Sequence, residues 1–261
     1  MPKVTVNNIE LDYEEYGKGD VLLFLHGLGS TKADWDAQIP FFSEKYRVVV
    51  VDLRGHGKTS VPSKDNYGVE FMTEDVKQLL GVLTIEKATV IGFSMGGAVA
   101  FQLTSDYPEI INNLVIVNSG PDFNNMGKIG EDLLSSRTAF LKTKGLIPLA
   151  KEIAYNMFPE DTQIEMRSEF EARCKKNNYE AYYNSFVTLM DWGLGEKLQE
   201  IKTRTLVVAS DMDYTPVSFK EEYVKRMPNA VVSVIENSRH GAVIDQPEAF
   251  NKVLEKFLNH E

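Results

Sequence analysis

The fold of this chain is decided by the stretch Gly92-Phe93-Ser94-Met95-Gly96-Gly97. The β-branched run just before it, residues 88–91, is predicted to be a buried strand, and the small residues at 97–103 are predicted to form a helix. A serine at such a strand-to-helix turn is held with its Oγ clear of the backbone. The flanking glycines have no Cβ, so neighbouring chain can approach closely. Ser94 is therefore a candidate nucleophile, although so short a pattern also arises by chance.

Predicted strands alternate with predicted helices on both sides of this turn. The other strands are predicted at 4–6, 9–13, 21–25, 47–51, 114–117, 205–209 and 231–235, the first two forming an antiparallel hairpin. Helices are predicted around 35–42, 76–83, 216–227 and 247–259. This alternation favours an α/β fold with a mostly parallel central sheet and helices on both faces.

Residues 121–200 interrupt the alternation, since they show helical patterns and no convincing strand. We therefore predict an α/β core formed by residues 1–120 and 201–261, with a helical cap inserted at 121–200. In open α/β sheets, ligands bind beyond the carboxyl ends of the strands. A helical insertion that leaves a strand end would cover that crevice.

Composition and charge exclude several kinds of partner. The 261-residue chain carries a net charge of −10, which argues against binding nucleic acid or an anionic membrane surface. Its single cysteine cannot form an internal disulfide, which is typical of a reducing compartment. The N-terminal residues lack the apolar core of a signal peptide, and no apolar run reaches membrane-spanning length. We expect a cytoplasmic protein, and the sequence leaves its oligomeric state open.

A serine hydroxyl is a weak nucleophile unless a base lies beside it. The chain has four histidines. His260 is next to last and is predicted to be solvated, while His26 and His56 each precede a glycine in a turn. His240 lies between a predicted strand and the last helix, which puts it at the same sheet edge as Ser94. We therefore predict that His240 is the base.

The base needs an acidic partner that fixes its tautomer and stabilises its protonated form. Two candidates, Asp211 and Asp213, follow a clearly predicted strand. Asp52 lies in a stretch typical of a structured turn, Asp245 could begin a helix, and Asn118 carries no charge. The order Ser, Asp, His along the chain matches the order expected for a serine on this kind of turn. The residues alone leave the choice between Asp211 and Asp213 open.

The negative oxygen of a tetrahedral intermediate needs two backbone donors. The Met95 N–H lies at the start of the predicted helix, where backbone donors lack partners and the helix dipole favours negative charge. The second donor is expected in the loop after an early central strand. That loop reads His26-Gly27-Leu28-Gly29, and we predict that the Leu28 N–H is the second donor.

Other kinds of site are not supported. The glycines at 27–32 lack the third glycine of a dinucleotide-binding loop. The aspartates at 211–213 lack the glycine and the terminal glutamate of a calcium loop. No spacing of histidine and cysteine is typical of zinc binding.

The motifs of the chain, taken in order, resemble the α/β-hydrolase family over nearly its whole length. They are HGLG at 26–29, DLRGHGKT at 52–59, GFSMGG at 92–97, TLVVASDMD at 205–213 and RHGAVIDQPEAF at 239–250. The family's G-x-x-D turn falls on 210–213 with Ser210 in place of glycine, so the resemblance implies Asp213 as the acid. It also implies a helical cap, in agreement with the insertion, and no metal or organic cofactor.

The resemblance and the candidate residues together predict a serine hydrolase that acts on a small carboxylic ester or lactone. Residues 21–97 are especially similar to the small esterases and enol-lactonases of the family. The same residues could serve carbon–carbon bond hydrolysis, a lyase reaction or thioester hydrolysis. Some family members keep the triad but are small-molecule receptors or signalling proteins with slow turnover.

The predicted cap carries no motif that identifies the substrate. Some of its apolar side chains could line a pocket. The candidate substrate contacts are His26, Met126, Phe140, Phe186 and Trp192. Arg137, Arg167 and Arg173 could pair with an anionic substrate, but we predict that they are solvated helix residues.

Overall fold

A computed structural model describes residues 2–63 and 65–260 of the chain. Within these residues the strands are β1 (Lys3–Val6), β2 (Ile9–Tyr16), β3 (Val21–Leu25), β4 (Arg47–Val51), β5 (Ala88–Phe93), β6 (Ile111–Val117), β7 (Thr205–Ser210) and β8 (Ala230–Ile235). The α-helices are α1 (Gln38–Phe42), α2 (Val69–Val82), α3 (Met95–Asp106), α4 (Gly127–Lys144), α5 (Leu146–Met157), α6 (Ile164–Cys174), α7 (Tyr179–Met190), α8 (Val217–Val224), α9 (Ala242–Asp245) and α10 (Pro247–Leu258). The predicted core boundaries at residues 1 and 261 lie outside the described residues.

The strands form one sheet in the order β1-β2-β4-β3-β5-β6-β7-β8. The hairpin of β1 and β2 is antiparallel, as predicted, and β2 also pairs antiparallel with β4. All the remaining pairs, from β4 to β8, are parallel. The carboxyl ends of the parallel strands therefore lie along one edge of the sheet.

The central strands are buried on both faces. In β3, Leu23 and Leu25 pack into one apolar layer, whereas Leu22 and Phe24 pack into the other. Helices α2 and α3 contribute to the first layer, and α1 and α10 contribute to the second. Burial on both faces explains why these strands read as continuous apolar runs. The predicted α/β class, with helices on both faces of a mostly parallel sheet, is confirmed.

Helices α4 to α7 form an insertion between β6 and β7, which are neighbours in the sheet. The two ends of this insertion are joined by backbone contacts. Asp122 pairs with Gly193 in an antiparallel bridge, and the Leu194 N–H donates to the Pro121 carbonyl at 2.9 Å. The insertion therefore leaves the sheet and returns to it at almost the same place. No helix in the described residues is long and apolar enough to cross a membrane.

The predicted helix around 35–42 is divided into two short pieces. A 3₁₀ turn covers Lys32–Trp35, and α1 begins only at Gln38. Pro40 explains the division, because proline has no N–H to donate to the carbonyl four residues earlier and its ring crowds that turn. Trp35 and Phe42 are both buried, and each packs against Phe24.

Candidate active site

Ser94 occupies a strained turn between β5 and α3. Its backbone angles are φ 51° and ψ −115°, a conformation that costs a non-glycine residue about 1–3 kcal/mol. The turn is possible because two glycines allow close backbone contact. A Cβ on Gly92 would lie 2.2 Å from the Gly96 carbonyl oxygen, and one on Gly96 would lie 2.2 Å from the Leu25 carbonyl oxygen. Ser94 is thereby held at the sheet edge, with its side chain partly exposed.

Three predicted residues meet at this edge, each placed by the end of a different strand. Ser94 follows β5, Asp213 follows β7 and His240 follows β8. His240 Nε2 lies 3.0 Å from Ser94 Oγ, and His240 Nδ1 lies 2.6 Å from Asp213 Oδ1. With its proton on Nδ1, a neutral imidazole donates to the carboxylate and leaves Nε2 free to accept the serine hydroxyl. This is the arrangement that activates a serine nucleophile.

Asp213 is held from its other side by a buried lysine, which the sequence did not indicate. The Lys220 ammonium is fully buried and donates to Asp213 Oδ2 and to the Thr215 carbonyl oxygen. The Thr215 hydroxyl also donates to Asp213 Oδ2, at 3.0 Å. Burial alone would raise the pKa of Asp213, but His240 and Lys220 outweigh it and hold that pKa well below its usual range. Asp213 is therefore ionised at neutral pH.

Two other candidate acids hold the loop that carries His240. Asp211 accepts the backbone N–H groups of Asn237 and Ser238 at 3.0 and 3.1 Å. Asp245 accepts the Ser238 hydroxyl at 2.8 Å. Neither carboxylate contacts the imidazole, so both aspartates serve to fix the chain before it.

The last two candidates also have structural partners. Asp52 accepts the Lys32 N–H at 2.8 Å and pairs with the Lys32 ammonium at 3.1 Å. The Asn118 amide donates to the His240 carbonyl at 2.8 Å and to Ser210 Oγ at 2.7 Å. Asn118 thus ties the end of β6 to the loop that carries the predicted base.

The two predicted oxyanion donors border the space next to Ser94. Met95 is the first residue of α3, where an N–H has no acceptor within the helix. Leu28 lines the cavity that also contains Ser94 and His240. Within the described residues, neither N–H has a hydrogen-bond partner in the protein. Their role as donors to an oxyanion stays a prediction.

A mostly apolar cavity of about 380 Å³ opens beside Ser94 and His240. Its size falls within the range of small-molecule sites. The helical insertion supplies much of its wall, from α4, α5 and α7. Three candidate substrate contacts, Met126, Phe140 and Phe186, line this cavity, and their contact with a substrate stays a prediction.

The other two candidate substrate contacts are corrected by the structure. Trp192 is buried in the layer beneath α3, where its Nε1 donates to Gln102 Oε1 at 2.8 Å. His26 is also fully buried: its Nε2 accepts the Leu53 N–H at 2.9 Å and its Nδ1 donates to the Gly27 carbonyl at 2.7 Å. Both side chains are occupied by contacts within the core and neither lines the cavity.

Folding stability is expected to fall between pH 6.5 and pH 5 because His26 stays neutral in the folded chain. Burial lowers the pKa of His26 and of the neighbouring His56, whose ring centroid lies 5.3 Å away. In this window the unfolded chain binds protons that the folded chain excludes. Because burial lowers the pKa of His26 to about 3, this histidine alone should reduce the free energy of unfolding by about 2 kcal/mol. Urea unfolding at the two pH values measures the drop.

The variant His26→Gln separates this effect from the titration of other groups. Glutamine keeps an acceptor for the Leu53 N–H but does not titrate. The free energy of unfolding of the variant should therefore fall by about 2 kcal/mol less than that of the wild type. The exposed residue His260 provides the matched control, and His260→Gln should lose as much stability as the wild type. Equal losses in all three proteins would show that His26 does not cause the pH dependence.

Two aromatic rings hold the imidazole of His240, and sequence reasoning missed both. The Tyr214 ring centroid lies 4.6 Å from that of His240, and the Phe93 centroid lies 5.1 Å away. Tyr214 follows Asp213 in the sequence, and Phe93 precedes Ser94. This adjacency places both rings near the site, but it does not show which way an aromatic side chain points.

The three arginines of the insertion have different surroundings. Arg167 donates to the Phe158 carbonyl at 3.0 Å, and Arg173 pairs with Asp34 at 3.3 Å. Arg137 instead lines the cavity next to Ser94. The expectation that all three are solvated helix residues is therefore wrong for Arg137 and for Arg173, whose side chain is mostly buried against Asp34.

Comparison with known proteins agrees with this fold and with the family that the sequence motifs resemble. A family model described as alpha/beta hydrolase fold matches residues 20–152. The chain belongs to the α/β-hydrolase family, and it is a hydrolase, as relatives that include an enol-lactonase and a putative esterase indicate.

Three similar proteins cover nearly the whole chain. The 3-oxoadipate enol-lactonase 2 of Acinetobacter baylyi is 30% identical, over 98% of this chain and 95% of the relative. A putative carbamate hydrolase from a Caulobacter species is 28% identical, over 90% of this chain and 89% of the relative. The crystal structure of the enol-lactonase from Burkholderia xenovorans shares the fold, with a TM-score of 0.91 at 24% identity over 99% of this chain and 100% of that one.

Proposed function

We propose that this protein is a serine hydrolase that cleaves small carboxylic esters or lactones through an acyl-enzyme. The observation that carries the proposal is the hydrogen-bonded series of Ser94, His240 and Asp213 beside an apolar cavity. The similarity to a 3-oxoadipate enol-lactonase supports a lactone or ester as the substrate class.

In the proposed first half-reaction, Ser94 Oγ bonds to the substrate carbonyl carbon while His240 Nε2 takes the hydroxyl proton. The N–H groups of Leu28 and Met95 stabilise the resulting oxyanion. Asp213 holds the imidazole in the required tautomer and stabilises its protonated form. The bond from the carbonyl carbon to the leaving oxygen then breaks, and His240 gives its proton to that oxygen.

The second half-reaction repeats these roles with water in place of the serine. His240 takes a proton from the water as its oxygen bonds to the acyl carbon. The bond to Ser94 Oγ breaks, and His240 returns the proton to the serine. An ester yields a separate alcohol and acid, whereas a lactone yields one hydroxy acid.

We also propose that residues 121–200 act as a cap that determines the substrate. Side chains from α4, α5 and α7 face Ser94 across the cavity. Apolar walls favour the hydrocarbon part of an ester or lactone. A volume of about 380 Å³ favours a small substrate over a long-chain lipid.

The proposal is tested with a panel of small substrates at pH 7.5. The panel contains p-nitrophenyl acetate, butyrate and octanoate, γ-butyrolactone and dihydrocoumarin, with phenyl thioacetate and p-nitrophenyl dimethylcarbamate as competing classes. We expect many turnovers on the short esters and on at least one lactone, with a decline at octanoate. Faster turnover of the thioester or the carbamate would reassign the substrate class. Fewer than one turnover on every compound would contradict the proposal and favour a receptor.

Loss of the buried Lys220 charge is expected to change the pH dependence of the reaction. In Lys220→Met, the Asp213 carboxylate no longer shares its charge with an ammonium and stabilises the protonated imidazole more strongly. The acid limb of the kcat/KM profile should therefore move to higher pH by about one unit. Profiles measured from pH 5 to pH 9 on p-nitrophenyl butyrate give the shift.

Lys225→Met is the matched control, because Lys225 lies at the end of the same helix with an exposed side chain. Its profile should coincide with that of the wild type. If Lys220→Met folds and its acid limb does not move, Lys220 supports the fold and has no effect on the base.

A further inference from the structure

Arg137 brings a positive charge into the wall of the proposed substrate cavity. It projects from α4 and lines the main cavity together with Ser94 and His240. It also lines a smaller cavity of about 50 Å³ that borders the same serine. Its guanidinium carbon lies 5.0 Å from the centroid of the Phe186 ring. The charge is therefore held against an aromatic face close to the predicted nucleophile.

Within the described residues, this guanidinium has no carboxylate at ion-pair distance, whereas Arg54 and Arg173 are paired with Asp75 and Asp34. Glu152 is the acid on the facing helix α5 that lines the main cavity, and its side chain is exposed. The charge of Arg137 is thus not neutralised by an ion pair with a carboxylate of the described residues. An arginine has five N–H donors in a planar fork that matches a carboxylate.

Tyr182 provides a second polar group at the same place. Its side chain is 1% exposed and lines the smaller cavity together with Arg137. Its hydroxyl makes no hydrogen bond of standard geometry among the described residues. It lies beside the Arg137 guanidinium, whose charge and hydrogen bonding oppose the rise in pKa that burial causes. Buried polar groups of native proteins are nearly always paired. A buried hydroxyl beside a cation that lacks a carboxylate partner among the described residues indicates a site for an oxygen anion.

We infer that Arg137 and Tyr182 bind a carboxylate of the substrate, so that this hydrolase prefers esters or lactones that carry an acidic group. The inference rests on the proposed function, because it places the carboxylate within reach of the carbonyl that Ser94 attacks. The smaller cavity has room for one or two water-sized groups, which suits a carboxylate a few bonds from that carbonyl. Apolar surroundings strengthen the ion pair.

The inference is tested with two esters that differ only in charge, p-nitrophenyl pentanoate and the mono-p-nitrophenyl ester of glutaric acid. The wild type should hydrolyse the acidic ester with a kcat/KM about 10- to 100-fold higher. Arg137→Met should remove this preference, mainly by raising KM for the acidic ester, so that the ratio of the two kcat/KM values falls toward one. Tyr182→Phe should reduce the preference by a smaller factor.

Lys142→Met is the matched control, since Lys142 is an exposed residue on the same helix and its loss changes the net charge equally. It should keep the full preference. A loss of preference in Lys142→Met as large as in Arg137→Met would mean that the general charge of the protein, and no local site, selects acidic esters.

A measurement on the wild type alone covers the case in which Arg137→Met does not fold. Glutarate should inhibit hydrolysis of the neutral ester competitively, and at lower concentration than pentanoate does. Equal kcat/KM values for the two esters would overturn the inference and leave the proposed function intact. Failure to hydrolyse either ester would contradict the proposed function itself.

Discussion

Replacing Ser94 by alanine is expected to lower kcat on p-nitrophenyl butyrate by about 10⁵- to 10⁶-fold. The variant loses the oxygen that would form the acyl-enzyme, while the imidazole and the backbone donors stay in place. Any remaining catalysis should come from substrate binding and from the oxyanion donors. Steady-state release of p-nitrophenolate measures the loss. Rapid mixing would add a direct observation, because acyl-enzyme accumulation in the wild type gives a burst that the variant cannot give.

Ser136→Ala is the matched control for this experiment. Ser136 lines the same cavity, but its hydroxyl donates to the Leu133 carbonyl at 3.4 Å on an exposed part of α4. Its loss should change kcat by less than about threefold. Alanine at position 94 adopts the same turn, so both variants should unfold near the wild-type temperature. A Ser94→Ala variant with unchanged kcat would require a different nucleophile and would refute the mechanism.

Asp213→Asn is expected to lower kcat by about 10⁴-fold, because an amide no longer holds the imidazole in the required tautomer. Asp211→Asn is the matched variant two residues earlier. Asp211 accepts two backbone N–H groups and does not reach His240, so its amide variant should keep kcat within about tenfold. The pair of variants decides between the two acids that the sequence left open.

A stability measurement must accompany these two variants. Asp213→Asn leaves the Lys220 ammonium buried without its counter-charge, and an unpaired buried charge costs about 3–5 kcal/mol. The double variant Asp213→Asn/Lys220→Met removes both charges and should recover much of that stability without recovering activity. If Asp211→Asn instead abolishes activity and Asp213→Asn does not, Asp211 is the acid and the assignment is wrong.

Local patterns were enough to predict most of the sheet and the positions of Ser94 and His240. Parallel strands buried on both faces are continuous apolar runs, and turn residues mark where they end. Since the carboxyl ends of such strands share one edge, chemistry-bearing residues just after them can be expected to meet. The same logic could not choose between Asp211 and Asp213, because both follow one strand and the difference depends on the path of the turn.

The contacts that the sequence did not reveal are those made between distant elements. A lysine on a predicted helix is expected to be solvated, and nothing in the sequence around Lys220 indicates otherwise. Only the fold buries its side chain against Asp213. Arg137 lies on a helix with polar residues on several sides, so its orientation toward Ser94 depends on how α4 packs. His26 and Trp192 were expected to contact the substrate. In the folded chain both side chains are instead buried in the core.

The way the insertion leaves and re-enters the sheet has a consequence for how such enzymes diversify. Its two ends are joined by the bridge of Asp122 and Gly193 before the chain continues into β7. The entropy of closing a loop grows only with the logarithm of its length, so doubling the segment costs about 0.6 kcal/mol. Helices can therefore be added to or exchanged in this segment at little cost to the sheet. The strand ends that hold Ser94, Asp213 and His240 can then remain as they are while the segment changes in length and sequence.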